Sequence, residues 1–298
     1  MKRLAVLAFV LALVAGCGSF GAAQAHSLSL AYKAGETYKY NFHAAFKYTI
    51  GAEGMSVPLD LDITAKEGLT VKSVDSSGTA DVAIAVTDMS LKSTVNGTTN
   101  TTTTTTTTNV DMKIASDGHI VSINGSAFGN SSLPGMTGSE GGLVSAILPD
   151  KPVKPGDTWS KSYDQPNPLG SGSSKVTTDN KYLRDEKVGS VDTAVVESKI
   201  NSSFNLTIDL SAMVGSSGTS LIPSGGAAAG LQGITMTGTS ISDVTSWIDA
   251  TAHRVVKSHS TGPLDATMSL NMAAGAANPG LTGPITLKGT QTLDMTPA

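Results

Sequence analysis

From Tyr38 to Ile50 the chain alternates without a break. Tyr38, Tyr40, Phe42, Ala44, Phe46, Tyr48 and Ile50 take one side, and Lys39, Asn41, His43, Ala45, Lys47 and Thr49 take the other. A helix would scatter those aromatics around its circumference, whereas a pleated strand sets them on a single face. The segment is therefore a strand, long for a globular protein and expected to curve or bulge. One buried and one wet face is the mark of antiparallel sheets, so this stretch directs the whole reading towards β structure.

The two-residue rhythm returns at Leu59 to Ile63, where Pro58 marks the strand start, at Leu69 and Val71, and at Val82, Ile84 and Val86 beyond the turn Asp75 to Gly78. Later runs are Val110 to Ile114, Ile120 to Ile123, Ala194 to Val196, Phe204 to Leu210, Trp247 to Lys257, Met268 to Met272 and Ile285 to Leu287. Ala22 to Leu30 reads as a tether leading into the first strand. Thr101 to Thr108 is an unbroken threonine run, which suits a strand or a loop equally. Gly142 to Leu148 reads as a short helix ended by Pro149, Ser211 to Gly233 as a surface loop and Gly275 to Gly283 as another. Lys161 to Thr178 is polar and offers no copy of the aromatic strand.

One short pattern occurs twice. Lys33-Ala34-Gly35-Glu36-Thr37-Tyr38 and Lys154-Pro155-Gly156-Asp157-Thr158-Trp159 both read Lys, any residue, Gly, acid, Thr, large aromatic. Gly supplies the backbone freedom of a tight turn and the aromatic opens a strand facing the core. The sequence thus reads as two diverged copies of one unit, 28–148 and 149–295, sharing a core because Pro149 to Pro155 is too short and apolar for a free linker. The fold class expected is mainly β and antiparallel, a curved half-barrel or sandwich built from two repeats with at most one or two short helices.

The N-terminus speaks about location. Lys2 and Arg3 precede an apolar run, Leu4 to Val14, too short to span a bilayer, which is the pattern of an export signal. Val14-Ala15-Gly16-Cys17 resembles a bacterial lipobox, which makes 1–16 the signal peptide and Cys17 the lipidated residue; Ala23-Gln24-Ala25 is an alternative site, with cleavage after 25 and secretion. Cys17 is the sole cysteine, so no internal disulfide forms and stability rests on burial. The formal net charge of −4 becomes more negative once Lys2 and Arg3 are removed, which argues against nucleic acid or an anionic bilayer surface as partner.

The common catalytic signatures are absent. No G-x-S-x-G elbow, S-x-x-K, Walker A or strand-linked G-x-G-x-x-G occurs, and no cysteine remains for a Cys-His pair. None of the five histidines forms an i, i+4 metal pair on a helical pattern; His119 and His253 take corresponding places in the two units, beside Asp117 and Asp249, and read as polar residues at hairpin tips. Asp60 and Asp62 share a solvated face. Trp159 and Trp247 read as core rather than stacking platforms, and Met112, Met268 and Met272 as adaptable core filling. No catalytic residue, metal or cofactor is assigned.

The order of features, a lipobox, K-x-G-x-x-aromatic, alternating strands, Leu148-Pro149 to Trp159, then Trp247-Ile248-Asp249 with Val255-Val256-Lys257, resembles a family of uncharacterised exported bacterial lipoproteins of β-rich build. More remotely, the hairpin from Trp247 to Lys257 is similar to one in the periplasmic Lol-type lipoprotein carriers and their mycobacterial lipid-binding relatives. That resemblance implies a curved sheet enclosing an apolar cavity. The expectation is a non-catalytic protein of the cell envelope, held to the membrane by a lipid anchor at Cys17, that binds a lipid or other apolar ligand lined by Tyr38, Tyr40, Phe42, Phe46 and Tyr48. The alternative is a structural or protein-interaction lipoprotein that meets its partner through threonine-rich outer strands.

Overall fold

The computed structural model describes residues 25–124, 145–167, 170–209, 231–272 and 283–298. Twelve strands account for most of them: β1 (Thr37–Ala52), β2 (Met55–Val74), β3 (Ala80–Val95), β4 (Thr98–Thr104), β5 (Thr108–Ile114), β6 (Ile120–Asn124), β7 (Thr158–Pro166), β8 (Gly170–Val188), β9 (Val191–Asp209), β10 (Leu231–Asp249), β11 (Arg254–Met272) and β12 (Ile285–Pro297). No helix occurs among the described residues. The fold is all-β, as the alternation requires.

All pairings are antiparallel within a single sheet, in the order β6-β5-β3-β2-β1-β12-β11-β10-β9-β8-β7, with β4 on β3 off this path. Most consecutive strands are neighbours, and the last strand closes against the first over a register from Tyr40↔Pro297 to Gly51↔Thr286. The sheet curls until its two edges, β6 and β7, nearly meet, and so forms an almost closed barrel. The seam is bridged by side chains. Lys161 of β7 binds Asp117 of the β5–β6 turn at 2.8 Å and Asp150 at 2.7 Å, and the Tyr163 and His119 rings lie 5.1 Å apart.

β1 pairs with both neighbours without a register shift, so of the curve or bulge expected there it is the curve that the sheet shows. The irregularities fall on β2–β3, at Thr64/Lys66 and Val71/Ser73, and elsewhere in the wall. Tight coiling of the wall is visible at Gly262, where any Cβ would run into the Ile241 carbonyl.

The repeated motif forms the same turn twice. Gly35 and Gly156 have φ of 87° and 98°, the Glu36 and Asp157 N–H groups donate back to the Lys33 and Lys154 carbonyls, and the two glycine N–H groups donate to the carbonyls of Val71 on β2 and Tyr182 on β8. Glycine is required because that φ is costly for any residue carrying a Cβ.

Several expectations are corrected. The helix over Gly142 to Leu148 is not formed in its described part: residues 145–148 are neither helix nor strand and are buried, with Ala146 and Leu148 fully enclosed. Four apolar-leaning residues carry too little period to separate a helix from a strap. The polar stretch Lys161 to Thr178, read only as lacking a copy of the aromatic strand, contributes to β7 and β8, since pairing along a strand needs backbone groups rather than apolar side chains. The end of the stretch read as a tether is instead interior: Leu28 and Leu30 are buried, as is Tyr32 after them. The threonine run is strand β4 and the start of β5, separated at 105–107. The export signal, Cys17 and most of the two long loops lie outside the described residues.

Candidate functional site

The sheet encloses one interior with two unlike ends. At the end that carries the β5–β6 and β10–β11 turns, the chain seals itself with two straps. Residues 28–32 cross it, with the Leu30 N–H donating to Ser116 O at 2.6 Å and the Ala31 N–H to His253 O at 2.9 Å. Residues 145–148 form the second strap: the Ala146 and Ile147 N–H groups donate to Ser246 Oγ and Ser198 Oγ at 2.8 and 3.2 Å, and Trp159 Nε1 donates to Ile147 O at 2.8 Å. Inward serines therefore replace the ladder partners that a strap lacks.

The aromatic face of β1 lies above this floor. Tyr38, Tyr40, Phe42, Phe46 and Tyr48 all face inward and are 1% to 8% exposed, within one core cluster that draws on both units. Tyr40 donates to Val255 O at 2.7 Å, Tyr48 to Gln291 Oε1 at 3.2 Å and Tyr38 to Glu36, while Arg254 covers the Tyr38 ring at 5.3 Å. The five aromatics are thus held by the chain's own residues. Burial raises Tyr40 and Tyr38 above the ordinary phenol range.

Glu67, which the sequence reading did not single out, also points inward. It stands opposite Tyr40 on β1 and Val86 on β3 and is 9% exposed. Burial pushes its carboxyl up to about 7. The sign of its position was present in the sequence, since Glu67 shares parity with Leu69 and Val71.

At the opposite end several inward apolar side chains are only half-buried, at the level where the polar Gln165 and Ser174 are buried. Ile50, Leu59, Met89, Leu91, Phe204 and Met268 form a collar packed on the core beneath. The long connections from β9 to β10 and from β11 to β12 both leave from this end.

On the outer wall, three strands bring together residues far apart in sequence. His43 of β1, Asp294 of β12 and His259 of β11 are in register, with His259 Nδ1 2.7 Å and His43 Nδ1 3.6 Å from the Asp294 carboxylate; His43 Nε2 is 3.2 Å from Asp62 Oδ2. No group of three such side chains is arranged to hold a metal among the described residues. The pair weighed from sequence, His119 and His253, share no contact there. His119 instead bonds Asp117 at 2.5 Å. Burial by itself would raise the Asp117 carboxyl, but hydrogen bonds from His119 and Lys161 outweigh it and hold the group well below the usual carboxylate range. This cluster closes the seam, and no hydroxyl is hydrogen-bonded to the His119 ring among the described residues.

Trp159 packs on the core. Trp247 lies on the outer wall, with Lys257 Nζ 4.5 Å from its ring and Glu186 accepting from its indole N–H at 3.2 Å. The core position expected of Trp247 is therefore not met, since its indole sits on the polar outer face.

No protein-family model matches this chain, and no curated protein matches it. Among solved structures it is similar to DynF from the dynemicin biosynthesis pathway of Micromonospora chersina, at 7% identity over 94% of this chain and 90% of that one. The TM-score is 0.24, too low for any inference about fold or function.

Proposed function

We propose that this chain is a non-catalytic, lipid-anchored protein of the bacterial cell envelope that holds an acyl chain or similar apolar ligand at the collar end of its barrel. The observation that carries this reading is the contrast between the ends. One is sealed by residues 28–32 and 145–148, and the other presents half-buried Ile, Leu, Met and Phe side chains that face inward. Such a surface offers contact area and no charge, which suits hydrocarbon. The aromatics from Tyr38 to Tyr48 are the wall beneath the ligand, and Tyr48 is the one nearest the collar along β1.

Native mass spectrometry of the protein purified from its host tests the reading. The expected result is a bound lipid-sized adduct that is lost in Leu91→Asp and Met268→Asp while circular dichroism keeps its β signature. Absence of any adduct, with no uptake of a fluorescent fatty acid by the wild type, would leave the structural or protein-interaction role in its place. Anchoring is tested separately: Cys17→Ser releases the protein from the membrane fraction, whereas a wild type already soluble with His26 at its N-terminus would refute the lipobox. The matching turns at Gly35 and Gly156 support descent of the architecture from two copies of one unit.

A further inference from the structure

The threonine run stays at the surface, with only Thr104 and Thr108 partly buried. In the structure its first part is β4, which pairs with β3 through Met89↔Thr104 to Val95↔Thr98 and has no strand on its other side among the described residues. Thr98 to Thr103 are exposed throughout. Half of the N–H and C=O groups of β4 point away from β3, which is the template on which another strand adds.

Natural sheets guard such edges with charge, proline, bulges or brevity. The edge strand β7 obeys the rule, carrying Lys161, Asp164 and Pro166 beside the bridged seam. β4 has seven residues, no charge, no proline and a regular register with β3.

We propose that β4 is a homodimerisation edge, pairing antiparallel with β4 of a second copy of this chain. The composition is self-complementary. About a two-fold axis at Thr101, Thr98 faces Thr104, Thr99 faces Thr103, Asn100 faces Thr102 and Thr101 faces its own copy, so every cross-strand pair is uncharged and almost every one is Thr with Thr. Such pairs are favourable across strands. The same pairing is already made within the chain, where Thr94 and Thr99 hydroxyls lie 2.9 Å apart between β3 and β4. An edge-to-edge pair uses up both free edges and closes as a two-fold dimer rather than growing into a filament. The proposal does not rest on the apolar-ligand reading, although β4 pairs with the stretch of β3 that carries Met89 and Leu91.

Sedimentation equilibrium of the full chain in density-matched detergent, at micromolar concentration, tests it beside the double substitution Thr101→Lys with Thr103→Lys. Pairing centred on position 101 sets the first new lysine against its own copy. Pairing centred on position 102 sets it against the second new lysine of the other chain, so like charges meet in either register. The wild type is expected as a dimer and the variant as a monomer. Hydrogen exchange gives a second readout that needs no variant: β4 amides should gain protection as wild-type concentration rises. A monomeric wild type, a dimer that survives the lysines, or β4 exchange independent of concentration would each overturn the proposal.

Discussion

The walls contributed by β1 to β3 and by β8 to β11 line the same interior with different mixes of side chains. The first carries Tyr, Phe, Leu, Ile and Val inward, with Glu67 as its one buried charged side chain among the described residues. The second intersperses Tyr182, Leu206, Met236, Val244, Ile248 and Leu264 with Ser174, Thr178, Asn180, Ser198, Ser202, Ser240, Ser242, Ser246, Ser258 and Ser260 at its buried positions. Bulky side chains on one wall and small hydroxyls on the other let the aromatics reach across. The small side also supplies hydrogen-bond partners for the strap at 145–148, as Ser198 and Ser246 do. Period alone makes the strand; the identity of the inward residues decides whether it contributes apolar area or polar satisfaction.

The sharpest way to break this comparison is Phe46→Ala. With 1% of its surface exposed, the ring should cost about 3–5 kcal/mol on removal, measured by denaturant unfolding. A loss near zero would mean that the aromatic wall is not the main source of stability.

Glu67 tests the same wall through pH. Its carboxyl rises from 4.5 to about 7 in the fold, so folding favours the neutral acid. That contribution is whole below pH about 4.5 and is lost as pH rises through about 7. Glu67→Gln should match the wild type in acid and exceed it above neutrality by up to about 3 kcal/mol, read from thermal unfolding across pH. Parallel pH profiles for the two proteins would place Glu67 in water.

On the polar wall, Ser198→Ala should cost about 2 kcal/mol, since Asn180 loses the donor 2.5 Å from its Oδ1 and the Ile147 N–H loses its acceptor. Faster exchange confined to residues 145–148 would sharpen the assignment of this wall to holding the strap.

The repeated turn compares the halves most directly. Gly35→Val and Gly156→Val should each cost about 1–3 kcal/mol through the positive φ, measured by thermal unfolding. Asp157→Asn, which keeps an acceptor for the Lys154 N–H at 3.0 Å, should stay within about 0.5 kcal/mol. Unequal glycine costs would show that the two turns, alike in geometry, differ in what they support.

The sequence by itself determined the local order. Alternation from Tyr38 to Ile50 specified a strand and its buried face, and the paired Gly motifs specified two turns with positive φ, because both signals are carried by residues within a few positions of one another. It did not determine which strands become neighbours. Only the tertiary structure set β12 beside β1, and so made a row of His43, Asp294 and His259; it also drew Lys161 across the seam to Asp117. The same holds for the straps at 28–32 and 145–148. The first shows only a brief alternation at Leu28 and Leu30 and the second none, and both are buried because the turns and inward serines of distant strands accept their backbone hydrogen bonds.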